Sequence, residues 1–224
     1  MPSFIQHTGV HWYTELSNAL VRPEYKLLSL GSTRTVHMQT LFEILSTPLA
    51  DLKLVRRIPS VDSRGYFERM FCEHELSALL QAKPIQQINR TFTTRPGTIR
   101  GMHFQYPPYA ETKVVSCLHG EVFDVAVDLR RKSPTFLRWH AEILSGTNRH
   151  TLVIPEGFAH GFQALSENCE MIYLHTAVYN LVSESGLNAL DPRLAISWPQ
   201  AVSDISPKDA AILFLPVEFS GIDL

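Results

Sequence analysis

The sequence predicts a mainly β fold, a jelly-roll barrel or sandwich of antiparallel strands with a few short helices. Three observations carry this. From Pro84 onward the apolar residues come in short runs, several alternating with small or polar residues as half-buried strands do. Clusters of Gly, Pro, Asn and Ser separate those runs at regular intervals, the turn spacing of all-β domains. No internal repeat or low-complexity tract points instead to a solenoid or an array.

Taken in order, residues 1–40 read as a weakly patterned N-terminal extension, in which residues 12–20 have the spacing of a short amphipathic helix. The texture changes near Pro48, and residues 41–224 read as the jelly-roll domain. Leu52-Lys53-Leu54-Val55 is a strand, and Asp62-Ser63-Arg64-Gly65 a turn ahead of Tyr66-Phe67. Residues 71–81 predict a helix with Leu76, Leu79 and Leu80 on one side. Strands follow over residues 114–118 and 122–127, parted by Gly120, and Lys132-Ser133-Pro134 turns the chain into a strand over 136–144. Ser145-Gly146-Thr147-Asn148 turns it again before Thr151-Leu152-Val153-Ile154, and runs over 162–165 and 171–178 complete the series. Ser206 and Pro207 suit the N-cap and first position of a C-terminal helical segment, with Asp209 favouring its dipole.

The chain has 224 residues, 45% of them hydrophobic, enough to enclose one core. A formal charge of −2 argues against a general pull toward nucleic acid or membrane surfaces. No apolar run reaches the ~18–20 residues that cross a bilayer, and the first residues lack the basic-then-apolar order of a signal peptide. Cys72, Cys117 and Cys169, odd in number and irregularly spaced, fit neither a disulfide framework nor a zinc pattern and read as reduced thiols. These features point to the cytoplasm.

The chemistry concentrates in two runs. Pro155-Glu156-Gly157-Phe158-Ala159-His160-Gly161 resembles the second half of a cupin signature, P-x-G-x-x-H. A metal-binding cupin also needs His-x-His and a downstream Glu, whereas this chain has His103-Phe104-Gln105. Two histidines are a poor ligand set, so no metal or other cofactor is expected. They suit acid/base or anion-binding work better, because an imidazole accepts a proton near neutral pH without large tuning. Arg100 and Lys113 beside such a base indicate an anionic substrate or intermediate, as when a carbon acid next to a carbonyl is deprotonated to an enolate.

Several further runs occur in order with these. They are Arg64-Gly65-Tyr66-Phe67, Ile99-Arg100-Gly101-Met102-His103-Phe104-Gln105, Gly120 through Arg130, Ser133-Pro134-Thr135-Phe136, residues 154–162 and Ser206-Pro207-Lys208-Asp209. Together they resemble the dTDP-4-dehydrorhamnose 3,5-epimerases, cupin-type jelly-roll enzymes of the rhamnose pathway, from about Thr47 to Leu213. The resemblance implies that His103 is the general base, oriented by Asp209, that Tyr173 returns a proton to the opposite face, and that Lys113 steadies the enolate oxygen. It implies substrate contacts from Arg64, Glu68, Gln87, Asn89, Arg100, His160, Tyr179 and Glu184. It further implies a nucleotide-diphosphate sugar as substrate and a homodimer in which some contacts cross between subunits.

Ordinary structural roles stand beside these. Tyr173 lies in an apolar strand, where a tyrosine is commonly core with a bonded hydroxyl, and Lys113 also suits a solvated strand edge. Asp209 serves the helix start as well as a histidine. Cys72, Cys117, Cys169, His119, His140 and His175 read as structural. The chain departs from the pattern in its first 40 residues, with Met38 as an alternative start, in the insertion 106–111, and in the loop 185–192, which lacks an expected Arg and Trp. Those departures leave room for an epimerase acting at C3 or C5 alone, or for a ketoisomerase on another nucleotide sugar. A non-catalytic sugar-binding cupin and a metal-dependent oxygenase are the alternatives from other classes.

Overall fold

The computed structural model describes residues 24–29, 32–37 and 40–224, so the helix expected over residues 12–20 lies outside the described residues. The chain divides into two compact units, Met1–Thr40 and Leu41–Leu224. In the first, β1 (Glu24–Ser29) pairs antiparallel with β2 (Ser32–His37).

The strands of the second unit are β3 (Phe42–Ser46), β4 (Lys53–Arg57), β5 (Ser60–Asp62), β6 (Gly65–Phe67), β7 (Gln87–Thr93), β8 (Thr98–Gln105) and β9 (Lys113–His119). They continue with β10 (Glu121–Asp128), β11 (Trp139–Ser145), β12 (His150–Ile154), β13 (Phe158–Ala164), β14 (Cys169–His175), β15 (Glu184–Gly186) and β16 (Asp204–Ile205). Two short helices, α1 (Glu73–Leu76) and α2 (Pro207–Ala210), complete it. One six-stranded sheet runs β3-β4-β12-β9-β14-β7; the other runs β11-β10-β13-β8-β15, with β16 parallel to β8. The mainly β, jelly-roll class expected from the sequence is the class observed.

The main core lies where inward side chains of both sheets meet: Leu54, Val115, Leu152 and Met171 from one, Val122, Leu144 and Phe162 from the other. Each sheet is also covered outside. Leu76 and Leu80 pack over Val55, Val114 and Val153, while Leu187, Ala189, Leu194 and Ile222 pack over Val125, Val127 and Phe104. Burial on both faces explains continuous runs such as Val125-Ala126-Val127, where a one-sided sheet would alternate.

Two expected elements are shorter than the pattern indicates. The helix over 71–81 is α-helical only at Glu73–Leu76 and continues as turns, with positive φ at Gln81 and Ala82. Leu76 and Leu80 keep their burial, one turn apart, but so short a helix lacks propagation and Pro84 prevents extension. The strand over 136–144 begins at Trp139. Before it, buried Asp128 accepts from the Arg130 guanidinium, Ser133 Oγ and Thr135 Oγ1, and this knot holds the 130–137 turn. The Asp128-Leu129-Arg130 and Ser133-Pro134-Thr135 runs are therefore structural.

Candidate functional site

A cavity of about 420 Å³ lies between the two sheets, in the range that holds small ligands. The inner faces are apolar over the main core and polar here. His103 on β8 and His160 on β13 stand directly opposite each other in the ladder, so they share a face. Arg100 also lines the cavity, although it lies an odd number of residues from His103. Strict alternation would send the two to opposite sides. A bulge on β8 between Arg100 and His103 resets the parity. Gly101 and Gly161 make this crowding feasible: a Cβ on Gly101 would sit 2.6 Å from Gly161 Cα, and Gly101 has φ +116°.

His103 Nε2 donates to Asp209 Oδ1 at 2.7 Å. An ionised carboxylate only accepts, so Nε2 carries the hydrogen and Nδ1 is the basic atom left free. Asp209 also accepts from Gly101 N–H at 3.3 Å, and its own N–H donates to Ser206 Oγ at 3.1 Å. Burial pushes the Asp209 carboxyl up, but its bond to His103 and the imidazole's charge outweigh that and hold it below the usual carboxylate range. Asp209 thus binds His103 while it sits in the first turn of α2. His160 forms a second carboxylate pair, Nε2 to Asp124 Oδ1 at 2.8 Å, with both side chains buried.

The facing sheet supplies the other wall. Tyr173 on β14 shares a hydrogen bond with Thr91 Oγ1 at 3.1 Å, and burial raises its phenol well above the ordinary value, keeping it protonated. Two residues further along the same strand face, His175 stacks on Tyr173, centroids 6.3 Å apart. Burial, with Lys113 and His160 nearby, pushes the His175 imidazole down to about 4, so it is neutral at pH 7. Lys113 on β9 is buried; its Nζ donates to the His103 carbonyl at 3.0 Å and pairs with Glu111 at 3.2 Å. Arg100 donates to Thr93 Oγ1 and to the Phe92 carbonyl, and among the described residues it has no carboxylate partner. Its charge is thus available to an anion. No group of three or more His, Cys, Asp or Glu that could hold a metal occurs among the described residues.

The arrangement joins a carboxylate-bound histidine to a protonated phenol across one cavity, which a buried ammonium also lines, on a two-sheet β fold. The dTDP-4-dehydrorhamnose 3,5-epimerase family model matches residues 46–216. The chain belongs to this epimerase family. A dTDP-4-dehydrorhamnose 3,5-epimerase of Sinorhizobium fredii is 38% identical over 86% of this chain and 99% of its own length. The Bacillus anthracis epimerase crystallised with TDP and pyrophosphate superposes with a TM-score of 0.75 at 36% identity, over 78% of this chain and 99% of that one. The Legionella pneumophila dTDP-6-deoxy-D-glucose-3,5-epimerase in complex with dTDP-4-keto-L-rhamnose gives 0.73 at 41% identity, over 77% and 92%.

Within this epimerase-family fold, His103, Lys113, Tyr173, Asp209, Asn89, Arg100 and His160 all line the cavity. Gln87, Tyr179 and Glu184 line a smaller annex of about 140 Å³ beside it, which shares His103 and Lys113 with the main cavity. There Tyr179 donates to Glu184 at 2.8 Å, and Lys208 pairs with Glu184 at 2.7 Å. Burial works against the Glu184 charge, but Lys208 and Tyr179 hold its carboxyl below the usual range. Arg64 and Glu68 do not line the cavity of their own chain. Arg64 is exposed and paired with Asp62, while Glu68 pairs with buried Arg57 at 3.1 Å. His175 and Lys208 line the cavity without having been expected there, and buried Asp124, which does not line it, supports His160 from behind. His175 shares a face with Tyr173 by simple alternation, and Lys208 precedes Asp209, so both carried a signal. Asp124 had none outside its partner.

Among the described residues no helix is long and apolar enough to cross a membrane.

Proposed function

We propose that this chain epimerises C3 and C5 of a dTDP-linked 4-keto-6-deoxyhexose, converting dTDP-4-dehydro-6-deoxyglucose to dTDP-4-dehydrorhamnose for polysaccharide synthesis. The observation that carries this reading is the pair His103–Asp209 on one sheet and Tyr173 on the facing sheet, across a single cavity. Inversion at a carbon needs a base on one side and a proton donor on the other. His103 Nδ1 takes the proton from the carbon beside the C4 ketone, and the electron pair moves into the enolate. Lys113 stabilises the oxygen that becomes negative. Asp209 steadies the imidazolium. Tyr173, kept protonated by burial, delivers a proton to the opposite face of the same carbon, and solvent restores both groups. Arg100 holds the diphosphate, supported by its lack of a carboxylate partner, with His160 beside the sugar and Gln87, Asn89, Tyr179 and Glu184 as further substrate contacts. No step calls for a metal or other cofactor.

The reading includes a cytoplasmic homodimer, with residues 1–40 as an extension apart from the jelly-roll domain 41–224. Three free thiols suit a reducing compartment. The β5–β6 hairpin exposes Val61, Tyr66 and Phe67, an apolar surface that a second copy would cover, with Arg64 and Glu68 serving the partner's site.

Incubation with dTDP-4-keto-6-deoxyglucose in D2O tests the reaction. NMR is expected to show deuterium at both C3 and C5 of the wild-type product and none with His103→Ala. Exchange at only one carbon would reduce the activity to a single-site epimerase; undiminished exchange in His103→Ala would overturn the mechanism.

A further inference from the structure

We infer that Glu111 is a positioning residue for the reaction, holding the Lys113 ammonium where the enolate oxygen forms. This rests on the epimerase reading above, which gives Lys113 that oxygen to stabilise.

Glu111 lies two residues before Lys113, at the entry to β9, and both side chains are nearly closed to solvent, 7% and 9% exposed. A buried ammonium on a flexible four-carbon stem needs compensation, and without it the charge moves toward water or is lost. Lys113 has three N–H donors. One is spent on the His103 carbonyl at 3.0 Å and one on Glu111 Oε1 at 3.2 Å. The third is left for the cavity that Lys113 lines. The carboxylate also ties the cation to the base, since the acceptor on the other side of Nζ is the backbone of His103 itself.

Glu111 is in turn fixed by the protein and is not a mobile surface acid. Its Oε2 accepts from Gln105 Nε2, and Gln105 Oε1 accepts from Asn180 N–H at 2.6 Å. The carbonyls of Tyr109 and Val178 lie 3.0 and 3.2 Å from Gln105 Nε2 and share its other hydrogen, so the amide spans β8, the 106–111 loop and the segment after β14. His175, held neutral, presents Nδ1 3.9 Å from Glu111 Oε1, so no second cation competes at this distance for the carboxylate. The insertion 106–111, unexplained as a departure in sequence, thus ends in the counterion of the proposed catalytic lysine.

The enolate charge exists only after proton removal, so loss of Glu111 should lower kcat and leave KM nearly unchanged. Glu111→Gln keeps the shape and an acceptor for Gln105 while removing the charge. With dTDP-4-keto-6-deoxyglucose in D2O we expect kcat for deuterium uptake to fall about tenfold or more, KM to stay within about threefold, and Glu111→Asp to recover part of the loss. The double variant Glu111→Gln/Lys113→Gln should be no slower than Lys113→Gln alone, because Glu111 acts through that lysine. If Glu111→Gln does not fold, this double-versus-single comparison decides, since neither of its variants leaves the Lys113 ammonium buried without its counterion. A Glu111→Gln rate within about twofold of wild type, or a further tenfold loss in the double variant, would overturn the inference. Wild-type protein that takes up no deuterium would fell the epimerase reading and this inference with it; wild-type exchange with an indifferent Glu111→Gln would fell this inference alone.

Discussion

Replacing Asp209 by Asn isolates what the carboxylate contributes to the histidine. The amide keeps the size, an oxygen that can accept from His103 or Gly101, and the backbone N–H that binds Ser206. Only the charge is lost. Two unit charges about 4 Å apart interact by about 1 kcal/mol in water and about 4 kcal/mol at the effective dielectric of a protein surface. The Asp209 side chain is 6% exposed but that of His103 is 35% exposed, so screening is partial. A charge-assisted hydrogen bond in such a setting contributes about 1.5–3 kcal/mol. That stabilisation acts on the imidazolium, which forms only as the proton is taken. At about 1.4 kcal/mol per factor of ten, kcat should fall about ten- to a hundredfold with KM little changed. Initial rates of deuterium uptake at the ring carbons, followed by NMR across a substrate series, measure both quantities. A variant within about twofold of wild-type kcat would show that Asp209 serves only the start of α2, and the orienting role would be wrong.

Two further outcomes follow from the cavity. Tyr173→Phe removes the hydroxyl bound to Thr91 and leaves His103–Asp209 intact; epimerised product should fall about a hundredfold or more, while deuterium still enters with retention from the histidine face. Wild-type product formation by this variant would rule out Tyr173 as the proton donor. His175 should make stability depend on pH, because its folded value is about 4 against about 6.5 in the unfolded chain. A depressed folded value means that its contribution is complete above about 6.5 and is lost as the pH falls toward 4, a change on the order of 3 kcal/mol. Urea midpoints taken between pH 7 and 4 should decline, and His175→Gln should flatten the decline; parallel curves would refute the assignment. Asp209 and Glu184, held below their ordinary values of 3.8 and 4.5, lose their contributions only as the pH falls through those values, so they enter at the acid end of this window.

The strands were readable because burial selects apolar residues at strand spacing, and turns select residues with the right backbone freedom. Where the reading overshot, tertiary contacts had changed the local outcome. Leu76 and Leu80 are buried as helical spacing demands, yet the chain between Ser77 and Ala82 follows turns that suit its packing under the sheet. The expected strand start at Phe136 failed because Asp128 gathers the preceding hydroxyls and guanidinium into a turn.

For the site, the residue types are plain in the chain alone: a histidine without the rest of a metal set, a lysine and an arginine near it, a tyrosine in a buried strand, and an acid at a helix start. Pattern and propensity alone could not decide which of these meet; only the resemblance to the epimerases paired His103 with Asp209. Asp209 reaches His103 across 106 positions of sequence, and Asp124 reaches His160 across 36. Arg100 and His103 share a cavity only because one extra residue in β8 reverses the alternation between them. Propensity and pattern are local properties of a chain, whereas a catalytic contact is set by register, bulge and the facing of two sheets. Those follow from burying both sheets at once, and only the folded structure holds that information.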